Sequence, residues 1–125
     1  MEISKFIKKF IDIGLTEREA KVYLTLLTKK MFTASELQEI VDIPRTKIYE
    51  VLQKMVHRGI CIERRLGRNK IYEAVKPEIA FQIILDNYQT ELNRKKDVIQ
   101  ELNSTLSPIF EQNKDILNPL DILKY

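Results

Sequence analysis

The residues best equipped for chemistry crowd into one central stretch, and the chemistry they suit is recognition of a polyanion. Residues 44–76 carry nine Lys and Arg (Arg45, Lys47, Lys54, Arg58, Arg64, Arg65, Arg68, Lys70, Lys76) against three acids (Glu50, Glu63, Glu73), an excess of six. Residues 1–43 balance at seven and seven, while residues 77–125 carry five basic and eight acidic residues. A net charge of +3 therefore conceals a concentrated positive segment. Such asymmetry points to a polyanionic partner; the bland alternative, equally compatible with charge alone, is a solvated basic face.

Spacing sorts these residues further. If 45–58 is helical, Ile48, Leu52 and Met55 share an inward face. Thr46, Glu50, Gln53 and His57 then lie opposite, with Lys47, Tyr49 and Lys54 on the flanks. Thr46, Lys47, Glu50 and Gln53 are types that read base edges, Glu50 by accepting from cytosine N4. Arg45, at the helix start, joins its side chain to free backbone N–H groups in favouring a phosphate. Thr33 and Ser35, at the start of the preceding helix, are candidate backbone contacts. Arg64, Arg65, Arg68 and Lys70 surround a tight turn and suit a phosphate track or the minor groove. Simpler roles stand beside these. Tyr49 can cover the edge of the core, His57 can favour the helix dipole, and Glu50 can pair with Lys47 or Lys54. Cys61 reads as a small apolar strand residue, with redox sensing as the rival.

Five helices and one hairpin would position these side chains. Phe6, Ile7, Phe10 and Ile13 predict a helix over 2–12, closed by Gly14. Thr16 and Glu19 form a capping box opening a second helix, with Ala20, Tyr23, Leu24 and Leu27 inward, that runs to about Lys30. Thr33 and Glu36 repeat the signal for a short third helix with Leu37, Ile40 and Val41 inward. Pro44 suits the first turn of the fourth, which ends at Gly59. Ile60-Cys61-Ile62, then Arg64-Arg65, Gly67-Arg68-Asn69, and Ile71-Tyr72 to Val75 read as strand, basic turn, strand. Two short helices joined by a tight turn and followed by a hairpin make a winged helix-turn-helix.

From Pro77 a long helix begins. Phe81, Leu85, Tyr88, Leu92, Lys95, Ile99, Leu102, Leu106 and Ile109 alternate at spacings of four and three, an a/d seam about four heptads long. Lys95 at a d position can fix register or oligomeric state. Pro108 is expected to end or kink the helix near Leu106 or Ser107. A helix over 78–107 would be roughly 45 Å long, more than a winged domain can cover, which favours a homodimer over a monomer with a core helix. The apolar tail 116–125 either packs on the partner or begins something further.

The fold class expected is thus mainly α with a small β-hairpin wing (α+β). A winged domain over 1–76 precedes a coiled-coil helix and tail over 77–125. With only Gly14, Gly59 and Gly67 there is no glycine-rich phosphate loop, and most carboxylates belong to solvent faces, so no catalysis is expected. One histidine and one cysteine argue against a zinc site within one chain and against an internal disulfide. No cofactor is expected. A reducing cytoplasm fits the cysteine count. Neither a signal peptide nor a membrane span is expected.

The run Gly14-Leu15-Thr16-Glu17-Arg18-Glu19-Ala20-Lys21-Val22-Tyr23-Leu24 carries a more specific message. Followed by Thr33-Ala34-Ser35-Glu36-Leu37 and Ile43-Pro44-Arg45-Thr46-Lys47-Ile48-Tyr49-Glu50-Val51-Leu52, it closely resembles the N-terminal domain of the TrmB family. Gly67-Arg68, then Tyr72-Glu73-Ala74-Val75 and Pro77-Glu78, extend the match over about 13–80. Members are mainly archaeal transcription regulators with a winged-helix domain and a coiled-coil helix. The resemblance implies DNA binding through Arg45, Thr46, Lys47 and Tyr49, with Arg68 supporting from the wing. Two departures limit it. Larger members carry a C-terminal sugar-binding domain that this chain stops short of, so sugar sensing is not carried over. Asp42 fills a turn position often taken by glycine or another small residue, and aspartate tolerates the left-handed geometry.

The reading that results is a sequence-specific regulator of transcription, a homodimer on double-stranded DNA, its effector unspecified. Its rivals are a non-specific architectural or chromatin protein and a winged-helix protein-interaction module of a transcription complex.

Overall fold

The structure, a computed structural model, describes residues 2–112 and 117–125. Its elements are α1 (Ile3–Asp12), α2 (Glu17–Leu26), α3 (Ala34–Val41), α4 (Arg45–His57), β1 (Cys61–Leu66), β2 (Asn69–Ala74), α5 (Pro77–Glu111) and α6 (Pro119–Ile122). Two compact units result, Met1–Asp86 and Asn87–Tyr125. The winged helix-turn-helix occupies the first.

Both capping boxes form. Thr16 Oγ1 accepts the Glu19 amide at 3.1 Å, and Glu19 Oε1 accepts the Thr16 amide at 2.9 Å. Thr33 and Glu36 repeat the exchange at 3.2 and 3.0 Å. α2 ends at Leu26, short of the expected Lys30. The amide and hydroxyl of Thr28 both donate to the Thr25 carbonyl, at 3.0 and 2.7 Å, and this tight turn closes the helix. Its buried stripe is Ala20, Val22, Tyr23 and Leu26, so Leu27 lies outside the core. In α3 the inward face is Ala34 and Leu37 with Val41 partly buried. Ile40, expected inward, is exposed. At 100° per residue, Ala34, Leu37 and Val41 fall within one narrow arc and Ile40 outside it. In α1 only Phe10 is buried, with Ile7 partly so; Phe6 and Ile13 sit at the exposed edges of the stripe.

Asp42 ends α3 in the left-handed region, φ 52° and ψ 49°, and lets the chain reverse into α4. Pro44 stands just before α4 as its cap residue, one position earlier than expected, and its carbonyl accepts the Lys47 and Ile48 amides at 2.8 and 3.1 Å. Gly59, at φ 81°, turns the chain into β1. A Cβ there would stand 3.2 Å from the Ile83 side chain, so glycine serves both the turn and the packing.

β1 and β2 pair antiparallel from Cys61↔Ala74 to Leu66↔Asn69, joined by Gly67-Arg68. Gly67 has φ 65° while Arg68 does not enter the positive region, a primed-type turn that suits the strand twist. Phe32 bridges to Tyr72 (N–H to O 3.0 Å, O from N–H 2.7 Å) and ties the hairpin to the α2–α3 connection.

Tyr23, Leu26, Leu37, Ile48, Leu52, Met55, Ile60 and Tyr72 are sealed into one core. Tyr23 donates its hydroxyl to the Val75 carbonyl at 2.7 Å, and burial pushes its pKa up to about 12, so it remains a donor. Ala80 and Ile84 of α5 belong to this core, and the Phe81 ring lies 5.8 Å from Phe10 and 6.2 Å from Tyr23. The first turns of α5 thus complete the first unit, which ends at Asp86.

α5 does not stop at Leu106 or Ser107. It runs through Pro108 to Glu111. Proline there removes a single rung near the end of the helix, and the ladder closes again with the Gln112 amide on the Pro108 carbonyl at 2.9 Å. Along it Leu85, Tyr88, Leu92, Ile99, Leu102 and Leu106 are 46–61 % exposed, and Ile109 is partly covered. Lys95 lies 3.6 Å from Glu91, which also takes a two-bond clasp from Arg94 at 2.6 and 3.0 Å. That clasp holds the Glu91 pKa down at about 2. In the tail, Asn118 caps α6; Ile116 lies outside the described residues. Among the described residues, no helix is long and apolar enough to cross a membrane.

Candidate nucleic-acid interface

The exposed side of α4 follows directly from its buried side. Ile48, Val51, Leu52 and Met55 bury inward, which leaves Arg45, Thr46, Lys47, Tyr49, Glu50, Gln53 and Lys54 exposed. Glu50 sits between Lys47 at 3.7 Å and Lys54 at 3.6 Å, so the simpler role foreseen for it is realised. Tyr49 is 46 % exposed, so its ring stands beside this polar row and is not sealed into the core. His57 is exposed in the last turn of α4.

On the hairpin, alternation puts Cys61, Glu63 and Arg65 on one face with their partners Ala74, Tyr72 and Lys70. Tyr72 roots this face in the core, and Glu63 joins it to α4 by accepting from Gln53 Nε2 at 3.3 Å. Arg65 and Lys70 stand directly opposite one another in the register. Like charges so placed are destabilising unless an anion offsets them. The opposite face carries Arg64, which meets Glu73 at 3.1 Å. Among the described residues, Arg45, Arg65 and Arg68 have no carboxylate within ion-pairing distance, whereas Lys70 lies 3.9 Å from Glu63. Ser35 is exposed at the start of α3. The Thr33 hydroxyl is taken up by its cap, accepting from the Glu36 amide and donating to Glu36 Oε1 at 3.2 Å.

Two features escaped the reading of the sequence. Arg58 is drawn inward, donating to Glu19 at 3.3 Å and to the Gly14 carbonyl at 3.2 Å. It therefore welds the end of α4 to the start of α2 and leaves the basic surface. Glu19, 4 % exposed, is at once cap and ion-pair partner, and no local spacing reveals that. Glu63 is the second. Its position opposite Tyr72 could have been counted back from the turn at Gly67-Arg68. Cys61 is buried, and its pKa is pushed up to about 12 by burial, then by the nearby Glu63 charge, which disfavours a reactive thiolate.

A helix-turn-helix with exposed polar α4, followed at once by a basic hairpin, defines a winged-helix protein of the DNA-binding type. The chain belongs to the family described as sugar-specific transcriptional regulator TrmB, whose model matches residues 10–78. It is 34 % identical over 98 residues to the HTH-type sugar sensing transcriptional regulator TrmBL1 of Pyrococcus furiosus, covering 78 % of this chain and 28 % of that protein. It is 29 % identical over 97 residues to the DNA-binding HTH-type transcriptional repressor TrmBL2 of Thermococcus kodakarensis, covering 74 % and 36 %. The chain thus spans about a third of the length of these relatives. Among solved structures, that of TrmBL2, described as an archaeal chromatin protein with a novel mode of DNA binding, superposes with a TM-score of 0.70 at 24 % identity, over 89 % of this chain and 44 % of that one. The oxidised form of MarR from E. coli shares the fold at a TM-score of 0.52 and 14 % identity, over 86 % and 85 %.

Proposed function

We propose that the protein regulates transcription by binding double-stranded DNA sequence-specifically as a homodimer, with α4 in the major groove and the hairpin on the backbone or minor groove. The observation that carries this is the wing. Arg65 and Lys70 oppose each other without a full complement of acids, and they share a face with Glu63, which is bonded to α4. A polyanion lying along α4 and the wing relieves that repulsion. The base-reading types Thr46, Lys47 and Gln53, flanked by Arg45 and Lys54, occupy the face that remains. The exposed a/d seam of α5 supports dimerisation, because apolar residues at heptad spacing are covered when two such helices pair. A two-fold dimer then calls for half-sites one helical turn, or a multiple of it, apart.

A second reading is favoured by one finding, the likeness to a TrmBL2 structure described as a chromatin protein. Under it the same surface coats DNA with little base preference. The two are separated by fluorescence anisotropy on DNA from the chain's own upstream region, with excess random competitor and a salt series. Competitor-resistant binding supports the regulator, binding erased by competitor supports coating, and no binding at low salt overturns both. Sedimentation of wild type and Ile99→Asp tests the dimer, the expected result being a dimer that the charge dissociates.

A further inference from the structure

Glu63 is an anion in the most basic part of the chain, and its partners differ from those of its acidic neighbours. Glu50 lies between two lysines and Glu73 faces Arg64. At Glu63 two donors converge on one oxygen, Oε1, the Tyr72 hydroxyl at 3.0 Å and Gln53 Nε2 at 3.3 Å, and Lys70 Nζ stands 3.9 Å from it as an ion-pair partner. The Glu63 side chain is 29 % exposed, set between the core and the surface where α4 and the wing meet. Tyr72 is itself sealed in the core, and burial together with the bond to Glu63 raises its pKa, so it holds the carboxylate from below as a permanent donor. Lys70 offsets the charge.

We propose that Glu63 is a positioning residue that orients the Gln53 amide to read an adenine in the major groove. The inference rests on the reading that α4 enters that groove. An ionised carboxylate only accepts hydrogen bonds, so it must face the NH2 end of the amide. The flipped amide would set Oε1 against the carboxylate, carbonyl oxygen against anion. When the N–H pointing away from its own carbonyl is the one committed to Glu63, Gln53 keeps one acceptor, Oε1, and one N–H on the same side as it. That pair complements adenine, which offers an N6 donor beside an N7 acceptor. Guanine presents two acceptors, N7 and O6, and would place O6 against Oε1. Cytosine and thymine each satisfy one half of the pair at most. The wing therefore takes part in base choice without touching the base, through Glu63.

The test is selection of a random duplex library on the whole chain, sequenced for wild type, Gln53→Ala, Glu63→Ala and Tyr72→Phe. Wild type is expected to prefer adenine at one position in each half-site. Gln53→Ala and Glu63→Ala are expected to reduce that preference by at least about five-fold and leave other positions alone. Glu63→Ala is also expected to bind bulk DNA as tightly as wild type or more so, since it removes a negative charge. Tyr72→Phe takes a bond from the same carboxylate but spares its link to Gln53, so it keeps the adenine preference. A merely structural Glu63 would make the Ala and Phe variants behave alike. Should Glu63→Ala melt below the assay temperature, Glu63→Met keeps the bulk and removes the acceptor, and is read in its place. An adenine preference that survives loss of Glu63, or a profile untouched by Gln53→Ala, overturns the proposal while leaving sequence-specific binding in place. A wild type with no preference at any position overturns both.

Discussion

Replacing Arg65 and Arg68 together by Gln separates wing cations that are available to phosphate from those already spent inside the protein. Both are exposed and lack a carboxylate within pairing distance among the described residues, whereas Arg64 is held by Glu73 at 3.1 Å. Each phosphate neutralised contributes about 0.9 to the slope of log K against log salt. The double variant is therefore expected to lower the slope by about 1.8. A four-fold rise in salt spans about 0.6 in the logarithm, so roughly a twelve-fold part of the wild-type salt sensitivity disappears. Arg64→Gln must first be charged with breaking its pair to Glu73, and it is expected to change the slope by well under one contact, about 0.3 or less. The assay is fluorescence anisotropy of a labelled duplex across a salt series, with circular dichroism to establish that all variants are folded. If Arg64→Gln removes as much slope as the double variant, ion pairing within the wing does not decide which cations reach DNA. If the double variant leaves the slope unchanged, the hairpin is not on the phosphate track at all.

Other expectations concern the scaffold. Arg58→Ala leaves Glu19 buried with only its capping bond from Thr16, and is expected to cost about 3 kcal/mol and lower the melting temperature by about 10 °C or more; a shift within 2 or 3 °C, about the effect of an ordinary surface change, would mean the pair is idle. At Asp42, φ 52° suits glycine and opposes a β-branched side chain, so Asp42→Val is expected to lose about 1–2 kcal/mol in urea unfolding while Asp42→Gly stays near neutral; equal losses would remove backbone geometry as the cause. The Cys61 thiol, raised from 9.0 to about 12, holds about a thousand-fold less thiolate at pH 8 than an ordinary thiol, so maleimide labelling of the folded chain is expected to be slower by that factor and to recover in denaturant. Fast labelling of the native protein would revive a redox role.

Much of this architecture was legible in the chain because its signals are local. Capping boxes at Thr16 and Thr33, the tolerated left-handed Asp42, the Gly67-Arg68 turn and the heptad spacing of α5 each depend on residues a few positions apart, and backbone chemistry acts over that range. The face of α4 followed from its period alone. What tertiary structure decided is of a different kind. Whether Leu27 is covered depends on where α2 ends and which element lies across it, and the spacing of its apolar residues does not contain that information. Pro108 did not end α5, because the position lies within its last turn and the ladder resumes with the Gln112 amide on the Pro108 carbonyl. Nine basic residues in the central stretch looked equivalent as charges. Only packing separated Arg58, pulled inward by Glu19, and Arg64, occupied by Glu73, from Arg45, Arg65 and Arg68. Charge is a property of a residue type, but its availability to a partner depends on which carboxylate stands within a few ångströms, and folding settles that by bringing together residues such as 19 and 58, far apart along the chain.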